Sequence, residues 1–337
     1  MDKKETICAV VVTYNRKELL LECLESLLKQ TYPLDAIYII DNASTDSTPE
    51  ILKEKGYIKE ILIPTNEPIE NENIIHMLSE GNQNKEVKVY CVRMHENTGG
   101  AGGFHEGVKR GYEREYNWLW LMDDDVCPDQ KALEALMNYK KEYSILIPVK
   151  VAKDKQKIID WSGLSYDLVN PFLKNPKLPI FKVYAKLSLL PDTLEVKDFS
   201  FEGPIFKREV IDQAGFPEKK LFIYFDDTEY ALRIRNLGYK LLLIKDALII
   251  KKIDNEKPLS TVPWKDYYYK RNLLWIRKKY GQNVLVKYLN PILFFLSALL
   301  IKGILKLNYK NIKIIYYAFI DSLDDKLVNR FKPYDAL

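Results

Sequence analysis

The chain contains, between residues 7 and 46, the stretch ICAVVVTYNRKELLLECLESLLKQTYPLDAIYIIDNASTD. It begins with a β-branched apolar run, continues with leucines at three- and four-residue steps, and ends in a second apolar run. The first spacing is typical of a strand and the second of an amphipathic helix. This order predicts a βαβ unit and therefore an α/β fold. The polar segments 13–16 and 41–46 follow the strands, at the edge where such sheets bind ligands.

Composition limits the classes of function. The 337 residues carry 51 Lys and Arg against 47 Asp and Glu, a net charge of +4. This mild charge does not resemble a dedicated nucleic-acid binder, in which basic residues dominate a domain. The four cysteines are scattered without metal-binding spacing, which predicts reduced core thiols. The first residues lack the pattern of a signal peptide, so we expect the protein to work in the cytoplasm.

Further along the chain the pattern changes twice. Residues 64–86 are polar and poorly periodic, and predict a surface insertion with one short helix. Apolar runs at 87–92 and 118–122 continue the sheet. Residues 145–206 mix short strands with a proline-rich, antiparallel part, and the chain is helical in pattern after Trp264. We therefore expect one large α/β unit followed by a helical appendage.

Three aspartates, Asp123, Asp124 and Asp125, end an apolar strand. Adjacent carboxylates raise one another's pKa unless a cation or hydrogen-bond donors compensate. Because side chains alternate along a strand, Asp123 and Asp125 point the same way and Asp124 points opposite. Two converging carboxylates suit Mg²⁺ or Mn²⁺, which also bind substrate phosphates. A solvated acidic turn or a helix N-cap is the alternative.

A glycine-rich run, NTGGAGGF, occupies residues 97–104 shortly after Arg93. Glycine lets the backbone approach a ligand closely, and a following helix offers its N-terminus to an anion. The spacing is not a dinucleotide fingerprint, nor a P-loop, because Val108 stands where that motif requires lysine. The run predicts a loop that faces a diphosphate, with a flexible turn as the alternative.

The sequence FDDTEY at residues 225–230 enters a predicted helix. One of its carboxylates could act as a general base that takes a proton from a substrate hydroxyl. The alternative is an acidic first turn, with Glu229 paired to Arg233 four residues on. Both can hold together, with Glu229 structural and Asp227 chemical.

Four motifs, VVTYNR at 11–16, DNASTD at 41–46, the triple aspartate and DDTEY at 226–230, fall in the order of a known family. With them the chain resembles the inverting glycosyltransferases of family 2 over about its first three-quarters. The glycine run and DDTEY look most like bacterial galactofuranosyltransferases, whereas the similar rhamnosyltransferases usually lack the doubled glycines. The resemblance implies a GT-A (Rossmann-like) fold, with a mostly parallel sheet flanked by helices. It implies a catalytic domain over 1–255, divided into a nucleotide-binding part (1–125) and an acceptor part (126–255), before a helical region (256–337).

The resemblance also implies a reaction: transfer of galactofuranose from UDP-galactofuranose to a lipid-linked glycan or polysaccharide of the cell envelope. Asp227 would be the general base, Asp123 and Asp125 would bind Mn²⁺ or Mg²⁺, and Trp161 and Asp226 would contact the acceptor. A core tryptophan is the alternative for Trp161. The donor would be bound by the remaining candidates, namely Thr13, Asn15, Asp41, Arg93, Asn97, Gly99, Gly100, Gly102, Gly103 and Asp124. Asn272 matches a family signature without an evident chemical role.

One position departs from the family pattern. Members often place a histidine metal ligand shortly after the strand at 247–250, where this chain reads KKID at 251–254. An additional water, Asp254 or a lysine could take that place. The alternatives are therefore a rhamnosyl- or hexopyranosyltransferase, or a non-catalytic protein that binds a sugar nucleotide.

An uncharged apolar run at 288–301 is shorter than the ~20 residues that span a bilayer. Lys302, Lys306 and Lys310 then recur every four residues, with Lys313 beside them. A basic amphipathic helix after an apolar run predicts peripheral binding to the anionic inner face of the cell membrane. A helix packed on the catalytic domain or on a second copy of the chain is the alternative, so a homo-oligomer stays open.

Overall fold

The computed structural model describes residues 5–78, 84–252, 263–304 and 309–331. Its strands are β1 (Ile7–Thr13), β2 (Ala36–Asp41), β3 (Ile69–Leu78), β4 (Asn84–Arg93), β5 (Trp118–Asp123), β6 (Val126–Pro128), β7 (Ile145–Val151), β8 (Gly163–Tyr166), β9 (Lys177–Pro179), β10 (Thr193–Val196), β11 (Ile205–Lys207) and β12 (Leu241–Lys251). Its α-helices are α1 (Lys17–Leu28), α2 (Thr48–Glu54), α3 (Gly99–Glu113), α4 (Ala132–Met137), α5 (Arg208–Ala214), α6 (Asp226–Asn236), α7 (Pro263–Tyr280), α8 (Asn290–Ala298) and α9 (Tyr309–Ser322). Two π-helical stretches, Leu285–Leu289 and Leu299–Ile304, flank α8.

The main sheet has the strand order β10-β12-β7-β11-β5-β1-β2-β4-β3, with β6 paired to β12. Its centre is parallel, because β1 pairs in parallel with β2 and β5, and β2 with β4. Strand β11 enters antiparallel between β5 and β7. The α/β prediction is confirmed, and the carboxyl ends of β1, β2, β4 and β5 meet at one edge of the sheet.

Helices cover both faces of this sheet, which explains why β1 and β2 are apolar at nearly every position rather than alternating. On one face α1 and α4 bury side chains such as Leu24 and Leu136. On the other face α3 and α6 bury Val108 and Ile234. Each large aliphatic side chain removed from water in this way stabilises the fold by about 1.5–3 kcal/mol.

The glycine run is helical rather than a loop, because α3 begins at Gly99. A Cβ atom at Gly103 would lie 2.5 Å from Val12 Cγ1, and one at Gly107 would lie 2.3 Å from Val10 Cγ1. These glycines therefore let α3 pack directly on β1. The prediction of a loop was wrong in this respect, because sequence alone did not distinguish close helix–sheet packing from backbone flexibility.

The predicted insertion at 64–86 was also wrong in its secondary structure. The described part contains β3, which pairs antiparallel with β4 at the edge of the sheet. An edge strand has fewer apolar neighbours than a central one, so its polar sequence gave little periodic signal. Strand β12 likewise begins at Leu241, earlier than the strand expected at 247–250.

The predicted helical character after Trp264 is confirmed for most of the described residues up to Ser322, whereas residues 323–331 form turns and irregular backbone. Helix α7 packs on α9, and its rings join an aromatic cluster in which Tyr268 stacks on Phe222 at 4.8 Å between centroids. This cluster connects the C-terminal helices to residues 219–225, the segment that leads into α6.

Candidate active site

Three predicted donor-binding residues lie side by side at the carboxyl edge of the sheet. Thr13 is paired in register with Asp41, and Asp41 with Arg93. Asp41 Oδ1 accepts a hydrogen bond of 2.9 Å from the Ser44 amide, and Arg93 Nε lies 3.8 Å from Asp41 Oδ2. Burial raises the pKa of Asp41, against the lowering effect of the Ser44 hydrogen bonds and of Arg93.

The two polar loops that follow β1 and β2 are tied together by Asn15. Its amide donates to Ser44 Oγ at 3.0 Å, and its side-chain oxygen accepts from the Thr45 amide at 2.6 Å. Its backbone is left-handed, with φ of 53°, a conformation that asparagine tolerates better than most residues. The loops thus form one surface beside Asp41.

Asn97 lies at the start of α3 and fixes its first turn. Its side-chain oxygen accepts a 2.9 Å hydrogen bond from the Gly99 amide and a 3.2 Å bond from Asn42 Nδ2. Gly99 has φ of 71°, and a Cβ atom there would lie 2.0 Å from the Phe222 carbonyl oxygen.

The other glycines of the run differ in their surroundings. A Cβ atom at Gly102 would meet Thr98, whereas one at Gly100 would meet nothing within 4 Å. Gly102 and Gly103 are therefore packed against the chain itself, and Gly100 has the open position.

Asp123, Asp125 and Glu202 form the acidic cluster, whose carboxylate oxygens lie within 4.8 Å of one another. Asp124 points elsewhere, although not through strand alternation, because β5 ends at Asp123 and the next two aspartates lie in a turn. Its carboxylate accepts 2.7 Å and 3.1 Å hydrogen bonds from Thr13 Oγ1 and Arg16 Nη1. The structure thus separates the three aspartates into two sites.

Glu202 was missed by sequence reasoning. It reaches the aspartates because the segment before β11 is bound to β5: the amide of Leu121 donates to Pro204, and Trp120 Nε1 donates to the Gly203 carbonyl at 2.7 Å. Gly203 has φ of 104°, which glycine adopts without strain. The sequence signal was limited to one acidic residue before a Gly-Pro pair.

Two lysines compensate Glu202. Lys251 forms an ion pair with it, and Lys150 Nζ lies 3.9 Å from Glu202 Oε2. Burial alone would raise the pKa of Glu202, but these ammonium groups outweigh burial and lower the pKa to about 2. Lys251 comes from the end of β12, and the next amide, of Lys252, donates to the Asp125 carbonyl at 2.9 Å. A lysine therefore stands beside the cluster, while Asp254 lies outside the described residues.

The acidic cluster has the chemistry of a divalent-cation site. Burial raises the pKa of Asp123 well above its usual value, and Asp125 and Glu202 raise it further. Asp125 Oδ2 lies 3.3 Å from Arg16, whereas Asp125 Oδ1 is buried and has no hydrogen-bond partner among the described residues. Hard cations such as Mg²⁺ and Mn²⁺ take carboxylate oxygens of this kind. The donor set fits such an ion.

Asp226 and Asp227 begin α6 and have different ionisation. Burial, reinforced by the neighbouring Asp227, raises the pKa of Asp226 to about 8. Burial raises the pKa of Asp227 to about 6, where Lys177 opposes and Asp198 adds to the rise. At neutral pH Asp227 is therefore the ionised member, which is the form that a general base requires.

A strained turn places these two carboxylates. Phe222, Tyr224 and Phe225 all have φ of 65–66°, which is unfavourable for bulky residues. Asn272 Nδ2 donates to the carbonyls of Leu221, Ile223 and Tyr224 at 2.8–3.0 Å, and Arg271 also donates to Leu221. These bonds from α7 offset the strain, so Asn272 has a structural reason to be where it is.

Two further predictions concern neighbouring side chains. Glu229 pairs with Arg233 at 2.5 Å, the structural role that the spacing predicts. Trp161 is 47% exposed and contacts Phe181 edge-on at 4.8 Å between centroids, so the core-tryptophan alternative is wrong. An exposed indole beside a second ring can pack against a sugar face.

The C-terminal region exposes apolar side chains. Around α8 they include Val284, Tyr288, Leu296 and Ile301. Within the described ranges, no helix combines the length and apolar character needed to cross a bilayer. Lys306 lies outside the described residues, as do the side chains of Lys302 and Lys310.

The chain is similar to known glycosyltransferases in sequence and in fold. The chain is 26% identical to galactofuranosyltransferase GlfT1 of Mycolicibacterium smegmatis over 242 residues, which cover 71% of this chain and 68% of the relative. Its fold is similar to S. aureus TarS 1–349 in complex with UDP-GlcNAc, with a TM-score of 0.52 and 14% identity over 96% of this chain and 82% of that one. It is also similar to mannosyltransferase PcManGT from Pyrobaculum calidifontis in complex with GDP-Man and Mn²⁺, with a TM-score of 0.51 and 15% identity over 96% and 89% of the two chains.

The family model described as glycosyl transferase family 2 matches residues 8–214, more than half of the chain. The matched region includes the carboxyl edge of the sheet, with the two polar loops, the triple aspartate and Glu202. The chain therefore belongs to glycosyl transferase family 2 and is a transferase that depends on a nucleotide-sugar donor.

Proposed function

We propose that the protein transfers galactofuranose from UDP-galactofuranose to a hydroxyl group of a lipid-linked cell-surface glycan, with inversion at the anomeric carbon. One observation carries this proposal: Asp123, Asp125 and Glu202 bring carboxylate oxygens within 4.8 Å of one another at the carboxyl edge of the sheet, in a chain of glycosyl transferase family 2. Glu202 also raises the pKa of Asp227, as expected if it lies near that carboxylate. The furanose donor is supported by the similarity to mycobacterial galactofuranosyltransferases and by the NTGGAGGF and DDTEY sequences.

The donor lies, in this proposal, along the carboxyl edge of the sheet. Thr13, Asn15, Asp41 and Arg93 hold the uridine and its ribose, because they are adjacent and present both donors and acceptors there. Asp124, which orients Thr13 and Arg16, lies beside them. The first turn of α3, with Asn97, Gly99 and Gly100, turns its positive end towards the diphosphate, whereas Gly102 and Gly103 let the helix pack against Thr98 and Val12.

Asp123 and Asp125, joined by Glu202, would hold Mn²⁺ or Mg²⁺. When bound, the ion offsets the negative charge that grows on the leaving diphosphate. Lys251 and Arg16 lie beside the same carboxylates, so their positive charges offset part of the negative charge of the acidic cluster. This arrangement takes the place of the histidine that is missing after β12.

Asp227 accepts the proton of the acceptor hydroxyl. At the same time the hydroxyl oxygen of the acceptor bonds to the anomeric carbon of the donor sugar, and the bond from that carbon to UDP breaks. Because Asp226 keeps its proton at neutral pH, it can donate a hydrogen bond to another acceptor hydroxyl. Trp161 offers an exposed ring for the acceptor sugar. One displacement of this kind inverts the anomeric configuration.

A donor screen tests the assignment of the sugar. We expect purified protein with Mn²⁺ and a polyprenyl-linked glycan acceptor to release UDP from UDP-galactofuranose faster than from UDP-galactopyranose, with a product sensitive to furanosidase. Release of dTDP from dTDP-rhamnose instead would assign a rhamnosyltransferase. No transfer with any donor, despite nucleotide binding, would indicate a non-catalytic binding protein.

We also propose that the surface around α8 binds the anionic inner leaflet of the membrane peripherally, where a lipid-linked acceptor is found. Side chains of Asn283 and Asn290 donate to the carbonyls of Val169 and Pro171. These bonds join the apolar surface of α8 to a loop in which Phe172 is 76% exposed. Apolar insertion beside basic residues suits an anionic leaflet.

Vesicle flotation tests this surface. Wild-type protein should float with phosphatidylglycerol vesicles, and combined substitution of Leu285, Leu296 and Ile301 by serine should reduce the bound fraction several-fold, because buried apolar area drives insertion. Ile63→Ser is the control, since Ile63 is also exposed but lies far from this surface in sequence, in the connection between α2 and β3. Equal flotation of the triple variant and wild type would overturn the proposal. If the wild-type protein did not float but formed dimers or larger oligomers, the surface would instead be a protein interface.

A further inference from the structure

Lys177 and Asp198 form a buried ion pair beside the proposed general base. The Lys177 ammonium contacts Asp198 Oδ2, and the Asp198 side chain is fully buried. Asp198 Oδ2 also accepts a 3.2 Å hydrogen bond from Thr228 Oγ1, and Asp198 Oδ1 accepts one of 2.9 Å from the Phe199 amide. Both oxygens of Asp198 are thus held by donors, which fixes the position of its carboxylate.

The pair is built by a small hairpin. Strand β9 places Lys177 opposite Tyr166 of β8, and the Gly163 amide donates to the Asp198 carbonyl at 3.1 Å. A Cβ atom at Gly163 would lie 3.0 Å from Asp198 Cβ and 3.3 Å from Lys177 Cγ. The glycine lets the two side chains approach each other beneath the hairpin.

The pair is connected to Asp227 through Thr228. The Thr228 amide donates to Asp227 Oδ1 at 2.6 Å, while its hydroxyl donates to Asp198. Nearby, the Tyr166 hydroxyl is buried and has no hydrogen-bond partner among the described residues. The charges of Asp198 and Asp227 raise the pKa of Tyr166 beyond the effect of burial, so this hydroxyl is near both carboxylates.

We propose that Lys177 and Asp198, which Thr228 links to Asp227 through its amide and hydroxyl, are positioning residues for the general base. The proposal rests on the assignment of Asp227 as the general base. It extends that assignment by naming the two groups, from β9 and from the segment after β10, that tune the base without contacting the reacting atoms.

Three other acidic side chains lie around Asp227, and they differ in their ionisation and in their partners. Glu202, from the segment before β11, raises its pKa, while Asp226 stays protonated at neutral pH. Glu229 is occupied by Arg233, Lys279 and Tyr280. Lys177 is a cation that acts on Asp227, and Asp198 is its direct counter-ion, so removing the charge of one should have the opposite effect to removing the charge of the other.

The sign of each effect follows from electrostatics. Removing the positive charge of Lys177 disfavours the Asp227 carboxylate and raises its pKa, whereas removing the negative charge of Asp198 lowers it. Because activity requires ionised Asp227, the acidic limb of the kcat/KM profile should move to higher pH in Lys177→Gln and to lower pH in Asp198→Asn. A shift of about 1 unit in each direction is expected, the lower end of what a neighbouring charge does to a carboxylate.

The experiment compares the two variants with wild type, with Lys177→Arg as the charge-preserving variant and Lys174→Met as the control from the same loop. Lys177→Gln keeps a hydrogen-bond donor for Asp198, which protects the fold, and thermal unfolding checks this. Opposite shifts, with the limb of Lys177→Arg near that of wild type, support the proposal. Loss of activity without movement of the limb, or movement in the same direction, would reduce the pair to a structural role and overturn it.

The same pKa can be measured without catalysis. In protein labelled with ¹³C at aspartate carboxyl groups, Asp227→Asn identifies the resonance of Asp227, and its titration should shift in the same two directions. If wild type transferred no sugar, the proposed function would fail while this titration still decided the role of Lys177 and Asp198. An Asp227 resonance unmoved in both variants would overturn the inference even in an active enzyme.

Discussion

Replacing Asp227 with asparagine is expected to lower kcat by about 10²- to 10⁴-fold, the range that general-base catalysis contributes. The amide has almost the shape of the carboxylate and can still accept from the Thr228 amide, but it cannot take a proton from the acceptor hydroxyl. The affinity for the donor nucleotide should stay within about twofold of that of wild type, because a general base acts on the acceptor hydroxyl during the reaction and not on the bound donor. Steady-state transfer kinetics and calorimetric titration with UDP measure the two quantities.

The pH dependence of the wild-type enzyme belongs to the same prediction. Because the pKa of Asp227 is about 6, kcat/KM should be constant near neutrality and fall tenfold per unit below pH 6. Asp246→Asn is the matched control, since Asp246 is exposed on β12. Turnover of Asp227→Asn within tenfold of wild type would assign the base to another group.

The sequence was sufficient for the half of the site that parallel strands position. The apolar runs of β1, β2 and β5 predict the strands themselves but not their order in the sheet, and a parallel sheet brings the residues after each strand to one edge. The pairing of Val12 with Asp123 and of Thr13 with Asp41 follows from that geometry. A motif at the end of a parallel strand therefore predicts which other motifs lie beside it.

The other half depends on antiparallel pairing and on long connections, which leave little periodic signal. Glu202 reaches the aspartates through hydrogen bonds between its segment and β5, and Lys251 through the pairing of β12 with β6. Lys177 and Asp198 meet beneath a hairpin whose strands have three or four residues. Such contacts are set by tertiary packing, so local spacing did not reveal them.

Asp125 is the residue through which the acidic cluster can be tested most directly. Its buried Oδ1 has no hydrogen-bond partner among the described residues, whereas Oδ2 faces Arg16. A carboxylate buried in this way is costly unless a cation or a donor compensates it. Of the two predicted ligands, Asp125 is thus the one with a buried carboxylate oxygen, Oδ1, that is placed to bind a cation.

We expect Asp125→Asn to weaken Mn²⁺ binding by at least about 100-fold, because loss of an outer-shell partner alone costs 10- to 100-fold. Electron paramagnetic resonance of free Mn²⁺ measures this without turnover, and transfer should fall in parallel. Asp246→Asn is the matched control: it removes the same charge from an exposed position on β12 outside the acidic cluster, so solvent screening should keep the change in Mn²⁺ affinity below about tenfold. Equal losses in the two variants would mean that net charge, rather than ligation by Asp125, attracts the ion. Unchanged Mn²⁺ affinity in Asp125→Asn, with transfer retained, would instead leave Lys251 and Arg16 as the charges that stabilise the leaving diphosphate.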